Sequence, residues 1–83
     1  MKKYKVYIIY HFVGGTNITL VEDYKGCDVN REFVSKFMNS ILEVPYNSQT
    51  REKSSVTINM ANVTTIWIDF KEIEDEDENK TNS

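Results

Sequence analysis

YKVYIIYHFV at residues 4–13, the glycine pair Gly14-Gly15, and NITLVEDY from Asn17 read together as two strands joined by a tight turn. β-Branched and aromatic side chains crowd both flanks, and such residues fit a pleated, half-buried surface. Register then decides which of them meet the core, because a slip of one residue exchanges the two faces of the second strand. A two-residue turn at Gly14 and Gly15 sets Tyr10 opposite Thr19 and Ile8 opposite Val21. A three-residue loop through Thr16 sets Phe12 opposite Ile18 and Tyr10 opposite Leu20, and it gathers the larger apolar set. The expected core face is therefore Val6, Ile8, Tyr10, Phe12, Ile18 and Leu20.

Downstream, Asp28 is placed to cap a helix that runs to Glu43. Val29, Phe33, Phe37 and Ile41 recur every fourth residue, with Val34, Met38 and Leu42 alongside, which is the buried stripe of an amphipathic helix. Pro45 stops it at Val44. Residues 45–54, PYNSQTREKS, are polar and aperiodic and read as a mobile connection whose Tyr46 docks back on the body. SVTIN and VTTIWIDF then flank Met60, Ala61 and Asn62, the signature of a second hairpin with Asn62 in the left-handed position. That hairpin sets Val56 opposite Ile66 and Ile58 opposite Thr64, and Ile68 and Phe70 complete the core face.

The expected fold is α+β: a four-stranded, largely antiparallel sheet with one helix on one face, in the order ββαββ. Over roughly residues 4–70 this succession resembles the β-grasp plan of ubiquitin-like proteins and of the immunoglobulin-binding domains of protein G. The resemblance lies in element order and implies no function. A simple antiparallel meander under one helix has the same succession.

With 83 residues, 40% of them hydrophobic, the chain has material for one domain and one core, expected over residues 1–72. No run reaches the roughly 18 apolar residues of a membrane-spanning helix. The N-terminus has no signal-peptide pattern, so no membrane association and a cytoplasmic location are expected. Residues 1–70 carry eight Lys and Arg against seven Asp and Glu, whereas from Lys71 onward there are two against six. The acidity belongs to residues 73–83, which are expected to be a disordered tail. Glu74, Asp75, Glu76, Asp77 and Glu78 are consecutive there and have nothing to bury. Such a run either solubilises the chain or imitates nucleic-acid phosphate on a basic groove of a nucleic-acid-binding host protein. The near-neutral body does not favour direct contact with nucleic acid.

Chemistry-bearing residues are few. Cys27 is the single cysteine, close to a helix start and to Lys25, but the single histidine, His11, falls at the far end of the first hairpin, so no nucleophile–base pair is expected. One cysteine and one histidine do not make a usual zinc site, and neither metal nor cofactor is expected. Glu22 and Asp23 point to opposite faces of a strand and cannot share a substrate. Gly14 and Gly15 precede no helix and make no phosphate loop. Gly26, Cys27 and Lys25 leave room for one phosphate, the basis of an alternative reading as an oligomeric small-ligand binder for a nucleotide or signalling molecule.

If the helix covers one sheet face, Tyr7, Ile9, His11, Val21 and Trp67 lie on the other, as one patch rich in apolar and aromatic groups. The expected function is a non-catalytic interaction module, of the kind phages and mobile elements encode to inhibit or regulate host enzymes and defence complexes. It is expected to bind a protein through that outer face, through the 45–54 segment with Tyr46, and through the acids Glu74, Asp75, Glu76 and Asp77. A homodimer through the same face is the competing use.

Overall fold

The computed structural model describes residues 1–73. Its elements are β1 (Lys2–Phe12), β2 (Asn17–Gly26), α1 (Arg31–Leu42), β3 (Tyr46–Arg51), β4 (Ser54–Asn59), a 3-10 turn at Met60–Asn62, and β5 (Val63–Ile73). The fold is α+β with one helix, but the strands do not form a single four-stranded sheet. Sheet A is β2-β1-β5, antiparallel throughout, and sheet B is the β3-β4 hairpin. β1 lies between β2 and the last strand but is antiparallel to both, whereas a β-grasp pairs its first and last strands parallel and a meander keeps sequence neighbours side by side. Ile73, grouped above with the tail, is the last residue of β5 and pairs with Lys3.

The extra strand is the segment read as a mobile connection. Residues 46–51 pair with 54–59 through a polar ladder in which Ser48 and Thr57 hydroxyls meet at 2.9 Å, as do those of Thr50 and Ser55. Cross-strand hydroxyl pairs stabilise a sheet without apolar alternation, so the usual sequence signal of a strand is missing. Once β4 pairs with β3, the expected β4–β5 hairpin does not form, and Val56 and Ile58 do not face Ile66 and Thr64. Asn59 caps the 3-10 turn by accepting from the Ala61 N–H at 3.0 Å. The Met60 N–H donates to the Pro45 carbonyl, and the Asn62 carbonyl accepts from the Val13 N–H. Asn62 is not left-handed; among the described residues only Gly14 and Gly15, at φ 101° and 94°, lie in that region.

Those two glycines close a three-residue loop over Val13–Gly15, one residue earlier than expected. The Gly15 N–H donates to the Phe12 carbonyl at 3.1 Å and the Phe12 N–H to the Thr16 carbonyl at 2.9 Å. Tyr10 therefore faces Ile18 and Ile8 faces Leu20. This register differs from the expected one by two residues, and an even shift preserves the face of every side chain. Ile18, near the turn end of β2, is exposed rather than buried. The helix also starts later than expected. Asn30 is its cap, accepting from the Phe33 N–H at 2.8 Å, while Asp28 pairs with Lys2 at 3.2 Å. Leu42, assigned above to the buried stripe, is exposed at the last turn.

The inner face of sheet A carries the core. Val6, Ile8, Tyr10 and Leu20 are buried against Ile41 of α1 and Ile58 of β4. Beside them Phe70 meets the rings of Tyr4, Tyr24, Phe33 and Phe37 edge-on, with centroids 5.3–6.3 Å apart. Edge-to-face pairs of this kind add to the burial of the rings themselves. Both α1 and sheet B thus cover the same side.

Ile58 is 1% exposed and ties sheet B to sheet A, so Ile58→Ala is expected to destabilise the chain by about 2–4 kcal/mol. Urea titration followed by far-UV dichroism and by the near-UV dichroism of the packed Tyr and Phe rings should show one coincident transition at a lower midpoint. Tyr10 supplies a pH test. Burial, and secondarily the Glu22 carboxylate, push its phenol above the ordinary value of 10.0. The folded state then holds that proton more tightly than the unfolded one. Its contribution is complete below pH 10 and is lost as pH rises through the raised value. In urea titrations between pH 8 and pH 11, Tyr10→Phe should lose less midpoint than the wild type.

Candidate functional site

Side chains alternate along a strand, so burial of Tyr4, Val6, Ile8 and Tyr10 sends the odd residues of β1 to the opposite side. The register arranges that outer face of sheet A in rows across β2, β1 and β5. They run Asn17–His11–Thr65, Thr19–Ile9–Trp67, Val21–Tyr7–Asp69, Asp23–Lys5–Lys71 and Lys25–Lys3–Ile73. The two central rows hold the aromatic and apolar groups, and the charged rows lie toward one end. Lys5 pairs with Asp23 at 3.1 Å, and the Lys71 ammonium stands 5.5 Å from the centre of the Tyr7 ring. Tyr7, Ile9, His11 and Val21 are half-buried by their neighbours in the sheet, and Trp67 is 63% exposed. Among the described residues, the core cluster and the ring–ring contacts lie on the other face.

Sheet B touches this surface at its border. The Val21 carbonyl on the outer edge of β2 accepts from Gln49 Nε2 at 3.0 Å and from Arg51 Nη2 at 2.6 Å. These bonds bring the Thr50–Arg51 end of the hairpin beside Lys5 and Asp23, around a shallow polar opening. Tyr46 is exposed on β3 and does not join the rows of sheet A. Glu74, Asp75, Glu76 and Asp77 lie outside the described residues.

Cys27 is a free, exposed thiol, but α1 begins only at Arg31 and its first turn is closed from within. Asn30 takes the Phe33 N–H with its side chain and the Val34 N–H with its carbonyl. The neighbouring Gly26 pairs with Lys2, nine residues along β1 from His11, so thiol and imidazole stand roughly 30 Å apart. Glu22 and Asp23 lie opposite Val6 and Lys5 and so on different faces. Among the described residues, no three His, Cys, Asp or Glu side chains cluster in a way that suits a metal ion. No helix there is long and apolar enough to cross a membrane.

Sequence parity brought Tyr7, Ile9, His11, Val21 and Trp67 to one face and also applies to Asp69 and Lys71, which that reading did not use. The Gln49 and Arg51 bonds to Val21 connect residues 28 and 30 apart, and no local signal announces them. Comparison with family models, with curated proteins and with solved structures finds no match to this chain.

Trp67 is the only tryptophan, so its emission reports this face alone. A red-shifted maximum and ready acrylamide quenching are expected in the folded chain. Trp67→Ala should move stability by no more than about 0.5–1 kcal/mol, read by urea titration followed by dichroism.

Proposed function

We propose that this chain is a non-catalytic protein-interaction module, an inhibitor or regulator that acts by occupying a partner protein through the outer face of sheet A. The observation that carries this reading is Trp67, an indole 63% exposed on the edge strand β5 of that face, beside Ile9 and next to the row of Tyr7. Large aromatic groups dominate the energy of protein interfaces when a partner desolvates them. The surrounding side chains suit such a role. Thr19, Thr65 and Asn17 border the apolar rows on one side, and Lys5, Asp23, Asp69 and Lys71 supply both signs of charge to orient a partner.

Size sets a condition on this reading. Three strands about 4.8 Å apart and some nine residues long make a footprint on the order of 400 Å². A stable interface takes about 800 Å² from each partner. The neighbouring Thr50–Arg51 end and residues 74–83 are therefore proposed to contribute to the contact, the latter by matching a basic partner surface.

The test compares variants as bait in the native cell extract. A partner held by the wild type and by Lys36→Ala, on the exposed side of α1, should be lost with Trp67→Ala while dichroism stays unchanged. A partner held equally well by Trp67→Ala removes the outer face from the reading. Deletion of residues 74–83 separates the acidic run: binding that keeps its strength and salt dependence assigns it no part.

A further inference from the structure

The two edges of sheet A differ. Along β2, Gln49 and Arg51 fill the outward Val21 carbonyl. Along β5 no strand among the described residues pairs with the side away from β1. The outward Val21 carbonyl also fixes the phase of the ladder. Val21 faces Tyr7, so the main-chain groups of Tyr7 turn to β5 and meet those of Asp69. From Thr65 onward the odd residues of β5 thus bond to β1, and Ile66, Ile68, Phe70 and Glu72 present their N–H and C=O groups to the open edge. This edge is long, has no proline, and is rich in β-branched and aromatic residues, the features that template strand addition.

We infer that β5 is a self-pairing edge. Two copies of the chain join β5 to β5 antiparallel about a two-fold axis at Ile68, and their three-stranded sheets fuse into one of six strands. Symmetry restricts the register, because equivalent residues must face one another reciprocally. Centring on Asp69 opposes two carboxylates, and centring on Lys71 opposes two ammonium groups. Centring on Phe70 sets Ile68 against Glu72 and leaves the first residues of β5 unpaired. Centring on Ile68 sets Ile66 against Phe70 on the inner face and Trp67 against Asp69 and Thr65 against Lys71 on the outer face, and it stays clear of the irregularity that separates Thr65 from Val63. The pairing then runs from Thr65 to Lys71, so the acids from Glu74 onward are not required to enter the ladder.

The axis stands perpendicular to the sheet, so both outer faces point the same way. The footprint of roughly 400 Å² becomes about 800 Å², the size of a standard interface, with the two Trp67 side chains near its centre. This inference concerns the purified chain alone, and its failure leaves the proposed binding face untouched.

Sedimentation of the full chain up to millimolar concentration is expected to show a monomer–dimer equilibrium. A monomer throughout overturns the inference. Thr65 is exposed, so charges placed there leave the fold intact and test the register. Thr65→Lys sets like charges against Lys71 at two symmetric positions and should raise the dimer dissociation constant several-fold, while Thr65→Glu should lower it. Equal or reversed effects overturn the register. Edge pairing is separated from face-to-face stacking by Ile68→Cys in a Cys27→Ser background. Ile68 points away from the outer face, so mild oxidation should link two chains through position 68 only if the edges meet. A folded variant that dimerises without linking overturns the edge assignment.

Discussion

The structure depends on burying one side of β1. Tyr4, Val6, Ile8 and Tyr10 are each at most 7% exposed, and no other strand among the described residues has so regular an alternation. Three strands are too narrow to shield such a row by curling, so the row needs a second layer. The chain supplies it twice on the same side: α1 brings Phe33, Phe37 and Ile41, and β4 brings Val56 and Ile58. Among the described residues no element is placed on the other side. The openness of the Trp67 face follows from that allocation.

Sheet B is an unusual cover because β3 is polar. Its position comes from specific bonds rather than from a broad apolar surface. The Asn47 side chain donates to the Ile41 carbonyl at the end of α1, Met60 reaches the Pro45 carbonyl, and Gln49 and Arg51 converge on Val21. These contacts satisfy main-chain carbonyls that helix ends and sheet edges leave open. The same hairpin therefore seals the core through Ile58 and fills the outward Val21 carbonyl on the β2 edge through its side chains.

Much of this was legible in the residues, and what was not has identifiable causes. The first hairpin and the helix announce themselves because their stability comes from apolar periodicity, which a sequence displays directly. The turn was misplaced by one residue, yet side-chain parity survived, so the inner and outer sets of β1 stood. β3 was unreadable because its ladder rests on Ser48, Thr50, Ser55 and Thr57 hydroxyls, residue types equally at home in loops. Missing that strand assigned β4 to β5 and hid the antiparallel return of β5 to β1. Placing the cap at Asp28 failed for a different reason: Asn30 caps a helix as well, and Lys2 offers Asp28 a partner.

β5 carries two kinds of surface that do not interfere. From Thr65 onward its odd residues send side chains to the outer face and main-chain groups to β1, while its even residues send side chains to the inner side and main-chain groups to the open edge. Contact made by Trp67 with a partner uses none of the hydrogen-bonding groups that a neighbouring strand would engage, and strand pairing buries none of the indole face. The alternation that commits Ile66, Ile68 and Phe70 to the core is therefore what frees their amides for pairing. A face too small to hold a partner firmly can then be extended sideways by the strand that carries its largest side chain, without rearranging anything inside the monomer.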